Sequence, residues 1–150
     1  MGKQKKVNWI YDGEEIKSIE DTPDAALGFI YLVKNITNEK WYIGRKTFRA
    51  HRKKKLTKKE KALPENSRKK YKMVWHEYRG WQDYTGSSEA LNTDIAKGHQ
   101  YTKEILRWCF SKAELTFYEG REIVCSDALL DENCYNNWVS MKVFGNNLKK

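Results

Sequence analysis

The chain of 150 residues has no apolar run long enough to cross a membrane. Its longest, Ala25 to Val33, is interrupted by Gly28 and falls far short of the roughly 20 residues a spanning helix needs. It also lacks the apolar stretch of a secretory signal, because the basic start Met1-Gly2-Lys3-Gln4-Lys5-Lys6 runs into Asn8 and the charged segment Asp12 to Glu15. A cytoplasmic protein with no membrane partner is the expectation. Cysteine is scarce. Cys109, Cys125 and Cys134 are odd in number and form no C-x-x-C, a pattern that suggests neither a disulfide framework nor a zinc site and predicts reduced, mostly buried thiols.

What is present is enough apolar material for one core: 39% hydrophobic and 13% aromatic residues in a chain of single-domain length. The division expected is an N-terminal extension over 1–27 and a domain over 28–150 that carries a basic insertion at about 46–80. The formal charge is +9, and its distribution is uneven. Between Arg45 and Lys72 fourteen Lys or Arg face two carboxylates, Glu60 and Glu65, so this stretch carries +12 and the remainder sums to about −3. Charge concentrated in this way forms a patch that a phosphate polymer would reward through counterion release. Tyr71, Trp75, Tyr78 and Trp81 are interleaved with it and can stack on bases or anchor the patch. Lys46, Arg49, Lys53, Lys54, Lys55, Lys58, Lys59, Arg68, Lys69, Lys70 and Lys72 are the candidate nucleic-acid contacts, and a merely solvated lysine loop is the plainer alternative.

The element pattern reads as α/β of the α+β type: a small, mainly antiparallel three-stranded sheet flanked by helices. Phe29 to Val33 is a strand buried on both faces, and Trp41-Tyr42-Ile43 is a second, joined to it by the turn-forming Asn35 to Lys40. Asp21 to Asp24 suggests a short helical turn ending at Gly28. Arg45 to His76 reads as helix plus loop, broken at Pro64 to Ser67. Ser88 is placed to cap a helix ended by Gly98, Tyr101 to Cys109 supplies the third strand, and Ser111 to Glu114 is a capping box that opens another helix.

Phe29-Ile30-Tyr31 and Tyr42-Ile43-Gly44 resemble the two halves of the GIY-YIG nuclease signature, with Gly28 one position ahead of the signature glycine. Arg52, ten residues after Tyr42, Arg45 after Tyr-Ile-Gly, Glu119 on a later helix and Asn136 complete the resemblance over about 28–137. The wording around Gly44-Arg45-Lys46 and Trp81 to Ser88 is similar to the homing-endonuclease-like proteins of tailed phages. The resemblance implies a metal-dependent DNA endonuclease leaving 5′-phosphate ends. It also implies that Tyr31 or Tyr42 activates or orients water, that Glu119 holds Mg²⁺ (or Mn²⁺), that Arg52 binds the scissile phosphate, and that Arg45 or Lys46 adds positive charge. Phosphodiester hydrolysis needs these functions in any case: a base, a cation near the leaving oxygen and charge neutralisation at the transition state.

A tyrosine ionises near pH 10, so service as a base requires nearby cations; otherwise it can only orient water. One carboxylate suffices for Mg²⁺ if water and phosphate oxygens complete the octahedron. Plainer readings stand beside these: Tyr31 and Tyr42 as core aromatics, Glu119 as a helix-surface carboxylate, Arg52 as part of the patch, Asn136 as a turn residue. His51 and His76 are candidate auxiliary acid-base groups, with phosphate contact or surface residue as the plainer reading, and His99 reads as a helix-end residue. A single site cuts one strand, so a double-strand break requires a homodimer or sequential nicking. The alternatives to the endonuclease are a non-catalytic nucleic-acid-binding module and a structure-selective repair nuclease for branched DNA.

Overall fold

A computed structural model describes residues 6–149. The basic start from Met1 to Lys5 lies outside the described residues, as does Lys150. In chain order the elements are β1 (Trp9–Tyr11), β2 (Glu14–Ile16), β3 (Gly28–Asn35), β4 (Trp41–Thr47), β5 (Arg49–Lys55), α1 (Lys58–Lys61), β6 (Tyr71–Glu77), α2 (Glu89–Ala96), β7 (Tyr101–Cys109) and α3 (Lys112–Cys125). A 3₁₀ turn at Ile19–Asp21 precedes Pro23, slightly earlier than the helical turn expected after Asp21.

Strand alternation sets the layers. Phe29, Tyr31 and Val33 of β3 point into one buried cluster and Ile30 into another, so β3 is covered on both sides and sits inside the sheet. It pairs antiparallel with β4 on one side and β7 on the other. Leu115 and Ile123 of α3 pack with Ile30, Ile43 and Cys109 on one face, while Leu91 of α2, Phe48, Trp81 and Tyr135 cover the opposite face. The predicted caps form: Ser88 accepts from the Leu91 N–H and Ser111 from the Glu114 N–H. Cys109 is buried as expected, but Cys125 is exposed and Cys134 half-buried.

The sheet is larger than three strands and it is mixed. Its order is β2-β1-β7-β3-β4, with β1 parallel to β7. The two additional strands come from the segment read as an extension. Asp12 and Gly13, both at positive φ (49° and 82°), make the tight turn between β1 and β2. Trp9 then buries its indole completely and donates its N–H to the Trp81 carbonyl at 2.8 Å.

The basic segment is not helix plus loop. β5 and β6 form a separate two-stranded antiparallel ribbon, and its connection holds the single turn α1, capped by reciprocal Thr57 and Glu60 bonds, and a 3₁₀ turn at Pro64–Asn66. The physical reason is compositional. The segment has no apolar stripe at helical spacing, whereas Tyr71, Val74 and Trp75 favour a strand. At its base, the Tyr78 N–H donates to Phe48 O and the Phe48 N–H to Leu27 O, which ties the ribbon to the body.

Candidate active site

β4 is the outer strand of the sheet, and residues 133–136 run along its free edge. The Trp41 N–H donates to Asn133 O at 2.9 Å and the Tyr135 N–H to Trp41 O at 2.8 Å. Asn136 finishes the pairing with its side chain: Oδ1 accepts from Ile43 N–H at 2.9 Å, and Nδ2 donates to Ile43 O at 2.8 Å. Its amide is therefore engaged by backbone and clamps β4. Beside this edge lies an open cleft of about 940 Å³ lined by Tyr31, Tyr42, Arg45, Glu119 and Asn136, among others. By strand alternation Tyr42 reaches the cleft from one face of the sheet and Arg45 from the other.

Tyr31 is almost fully buried, and its hydroxyl is wedged between two glycines. Gly44 is its ladder partner, and a Cβ there would overlap the Tyr31 hydroxyl. At Gly86, where φ is +108°, a Cβ would lie 3.2 Å from the same oxygen and 3.1 Å from the Tyr42 ring. Tyr84 stands perpendicular to Tyr31, their centroids 6.1 Å apart, and Tyr42 is 6.2 Å away. Burial holds the Tyr31 phenol far above the ordinary tyrosine range, and Tyr84, Tyr42 and Glu119 push the same way. Burial also raises Tyr42, against the hydrogen bond its hydroxyl shares with Ser87 at 2.9 Å.

The cations that could have stabilised a phenolate are directed elsewhere. Lys46 Nζ lies 4.1 Å from the Tyr84 ring centroid, and the Arg52 guanidinium 5.5 Å from that of Tyr78. Arg45 donates to Thr116 Oγ1 at 2.8 Å and brings Nε within 4.0 Å of Glu119 Oε1. Burial thus favours the neutral hydroxyl of both tyrosines.

Glu119 projects from α3 into the cleft, half-buried. Burial raises its pKa, opposed by the charge and the backbone N–H of Arg45. Among the described residues no group of three or more His, Cys, Asp or Glu could enclose a metal ion. A divalent cation at Glu119 would have few protein ligands, with room in the cleft for waters and phosphate oxygens. That donor set fits Mg²⁺ and excludes a caged zinc or calcium site.

Arg52 does not line the cleft. It lies exposed on β5, opposite Val74. Lys53, Lys54, Lys55, Lys58, Lys59, Arg68, Lys69 and Lys70 are exposed on the ribbon and its tip. Three other basic residues already have partners. Arg49 donates to the carbonyls of Ala26 (2.6 Å) and Pro23 (2.8 Å), Lys72 pairs with Glu60 at 2.6 Å, and Lys46 rests on Tyr84.

Two arrangements around the cleft were not foreseen from the sequence. The Tyr135 hydroxyl donates to Asp94 Oδ2 at 2.7 Å and accepts from Asn38 Nδ2 (2.9 Å) and Asn35 Nδ2 (3.1 Å), while the Asn35 amide also meets His99 Nδ1 at 2.9 Å. The Tyr135 bond holds Asp94 below the usual carboxylate range. These partners lie 41 to 100 positions apart, which no local pattern signals. The second is Lys103, 1% exposed, whose ammonium donates to the carbonyls of Gln82 (2.7 Å) and Tyr84 (2.9 Å) above the Trp9 ring. It fixes the loop that sets Tyr84 against Tyr31, and burial brings its pKa down to about 8. Its signal was available: Lys103 alternates with the inward-facing Tyr101 and Ile105.

A family model described as "Putative endonuclease segE, GIY-YIG domain" matches residues 9–139, a span containing Tyr31, Tyr42, Arg45, Glu119 and Asn136. No curated protein and no solved structure matches the chain.

Proposed function

Because the chain belongs to the SegE-type GIY-YIG endonuclease domain family, we propose that it is a Mg²⁺-dependent (or Mn²⁺-dependent) endonuclease that hydrolyses DNA phosphodiester bonds in the cleft beside β4. The observation that carries this reading is the convergence of Tyr31, Tyr42, Arg45 and Glu119 on one cleft from three separate elements. The metal, when bound, supplies Lewis-acid stabilisation of the leaving oxygen. Glu119 holds it through one carboxylate. Arg45 exchanges part of its interaction with Glu119 for a phosphate oxygen and neutralises charge there.

Tyr31 and Tyr42 keep their protons and use their hydroxyls to orient the attacking water and a phosphate oxygen; the water's proton passes to solvent in the open cleft, and the leaving 3′-oxygen takes one from solvent. Asn136 acts through Ile43 as a positioning residue, holding the strand that carries Tyr42 and Arg45. The phosphate role that the resemblance gives to Arg52 passes to Arg45, and Arg52 joins Lys53 to Lys55 as a contact farther along the DNA backbone.

One such site nicks one strand; a homodimer or two successive nicks makes a double-strand break. The test is ligation of the product. Supercoiled plasmid nicked in Mg²⁺ should be resealed by DNA ligase with no prior end treatment, which requires 5′-phosphate and 3′-hydroxyl termini. Absence of nicking, or nicks that resist ligation, contradicts the proposal.

A further inference from the structure

The ribbon presents two parallel columns on one face. In-register pairing sets His51 opposite Trp75, Lys53 opposite Met73 and Lys55 opposite Tyr71, so β5 contributes the cations Lys53 and Lys55 and β6 the apolar side chains. Met73 is 57% exposed, Tyr71 52% and Trp75 42%. On the other face of β6, Lys72 and Val74 are half-buried. A flat row of exposed apolar side chains on a two-stranded ribbon invites association unless it has a partner. The neighbouring lysines specify that partner's charge as negative.

Dimensions favour duplex DNA. Paired strands lie about 4.8 Å apart, so the ribbon is narrow across its two strands, and along them Tyr71 to Trp75 spans roughly 13 Å. A two-stranded ribbon of this kind enters the major groove, which is about 12 Å wide and exposes thymine methyls as apolar landmarks. Base stacking on a single strand suits this face less well. The Trp75 ring already has the Arg49 guanidinium 4.5 Å and the His51 ring 3.6 Å from its centroid, and Met73 offers no flat surface.

Resting on the DNA reading above, we propose that the β5–β6 ribbon docks in the major groove of duplex DNA, with Tyr71 and Met73 against base edges and Lys53 and Lys55 on the flanking phosphates. Tyr71 and Met73 are then specificity-determining residues, and they lie apart from the cleft that performs the chemistry.

The experiment measures binding in EDTA, so that cleavage plays no part. Wild-type protein selects from a random 30-base-pair duplex library, and fluorescence anisotropy then compares the selected duplex with a scrambled one. Tyr71→Ser/Met73→Ser should reduce that affinity ratio on the order of tenfold while leaving the salt dependence unchanged. Lys53→Gln/Lys55→Gln should keep the ratio and lower the slope of log affinity against log salt by about one to two. Circular dichroism melts verify that these surface variants fold.

Failure of the wild type to select any sequence, an unchanged ratio in Tyr71→Ser/Met73→Ser, or tighter binding to single strands would overturn the proposal. Selective duplex binding without cleavage in Mg²⁺ would sustain the ribbon's role and reject the nuclease reading alone.

Discussion

The Tyr31 hydroxyl occupies the space where a side chain at Gly44 would begin, so the glycine of one strand is the seat for the tyrosine of its neighbour. Gly44→Ala therefore cannot be accommodated without displacing a buried ring. We expect a loss of about 1–3 kcal/mol in urea denaturation, typical of overpacking, together with strongly reduced plasmid cleavage. Wild-type stability in that variant would mean that the ring moves freely and is not held for orientation.

Asn136→Ala removes both partners of the Ile43 backbone at once. An unsatisfied buried backbone group costs about 1–3 kcal/mol, and water at this half-buried edge offsets part of that. The specific readout is amide exchange. Protection of the Ile43 N–H should fall while β3 amides keep theirs, and kcat should drop with KM little changed. Unaltered protection at Ile43 would remove the clamp from the account.

Arg45 and Arg52 should separate cleanly. Arg45→Ala should lower the single-turnover rate at saturating protein by on the order of a hundredfold or more, with DNA affinity nearly intact. Arg52→Ala should weaken binding and leave the saturated rate close to wild type. The reverse pattern would return the scissile phosphate to Arg52.

Lys103 makes stability depend on pH. Its pKa is lowered from 10.5 to about 8 on folding, so the unfolded chain binds more protons between those values and stability rises with pH across that window. The Cys109 thiol, pushed up from 9.0 to about 12, and the raised tyrosines act in the opposite sense at higher pH. The rise should therefore be visible between about pH 8 and 9 in urea midpoints and be absent in Lys103→Met. A flat or falling wild-type profile over that interval contradicts the buried ammonium.

How far the sequence could be read follows from where its patterns are local. The β3–β4 hairpin was legible because Phe29 to Val33 and Trp41 to Ile43 are continuous apolar runs separated by turn residues, and the caps at Ser88 and Ser111 follow from three-residue spacings. β1 and β2 have three residues each and several charges, so periodicity hides them; Asp12-Gly13 was the available signal. β5 hides because its cations occupy both faces and leave no hydrophobic period, whereas the alternation of Tyr71, Met73 and Trp75 in β6 was an available strand signal. In the cleft, the resemblance to the GIY-YIG signature drew attention to Tyr31, Tyr42, Arg45 and Glu119. An offset from Tyr42 could not reveal that the chain leaves the sheet after Thr47 and carries Arg52 out on β5. The engagement of both ends of the Asn136 amide by a strand 93 positions away is likewise visible only in three dimensions.

The most direct test of the central claim is cleavage of supercoiled plasmid by the wild type and by Glu119→Gln, each in Mg²⁺ and in EDTA, with binding followed in parallel. Nicked or linear product is expected only for the wild type in Mg²⁺, with DNA binding by Glu119→Gln at least as tight as wild type. Full cleavage by Glu119→Gln, or cleavage that persists in EDTA, would contradict a metal held by Glu119 in the cleft beside β4.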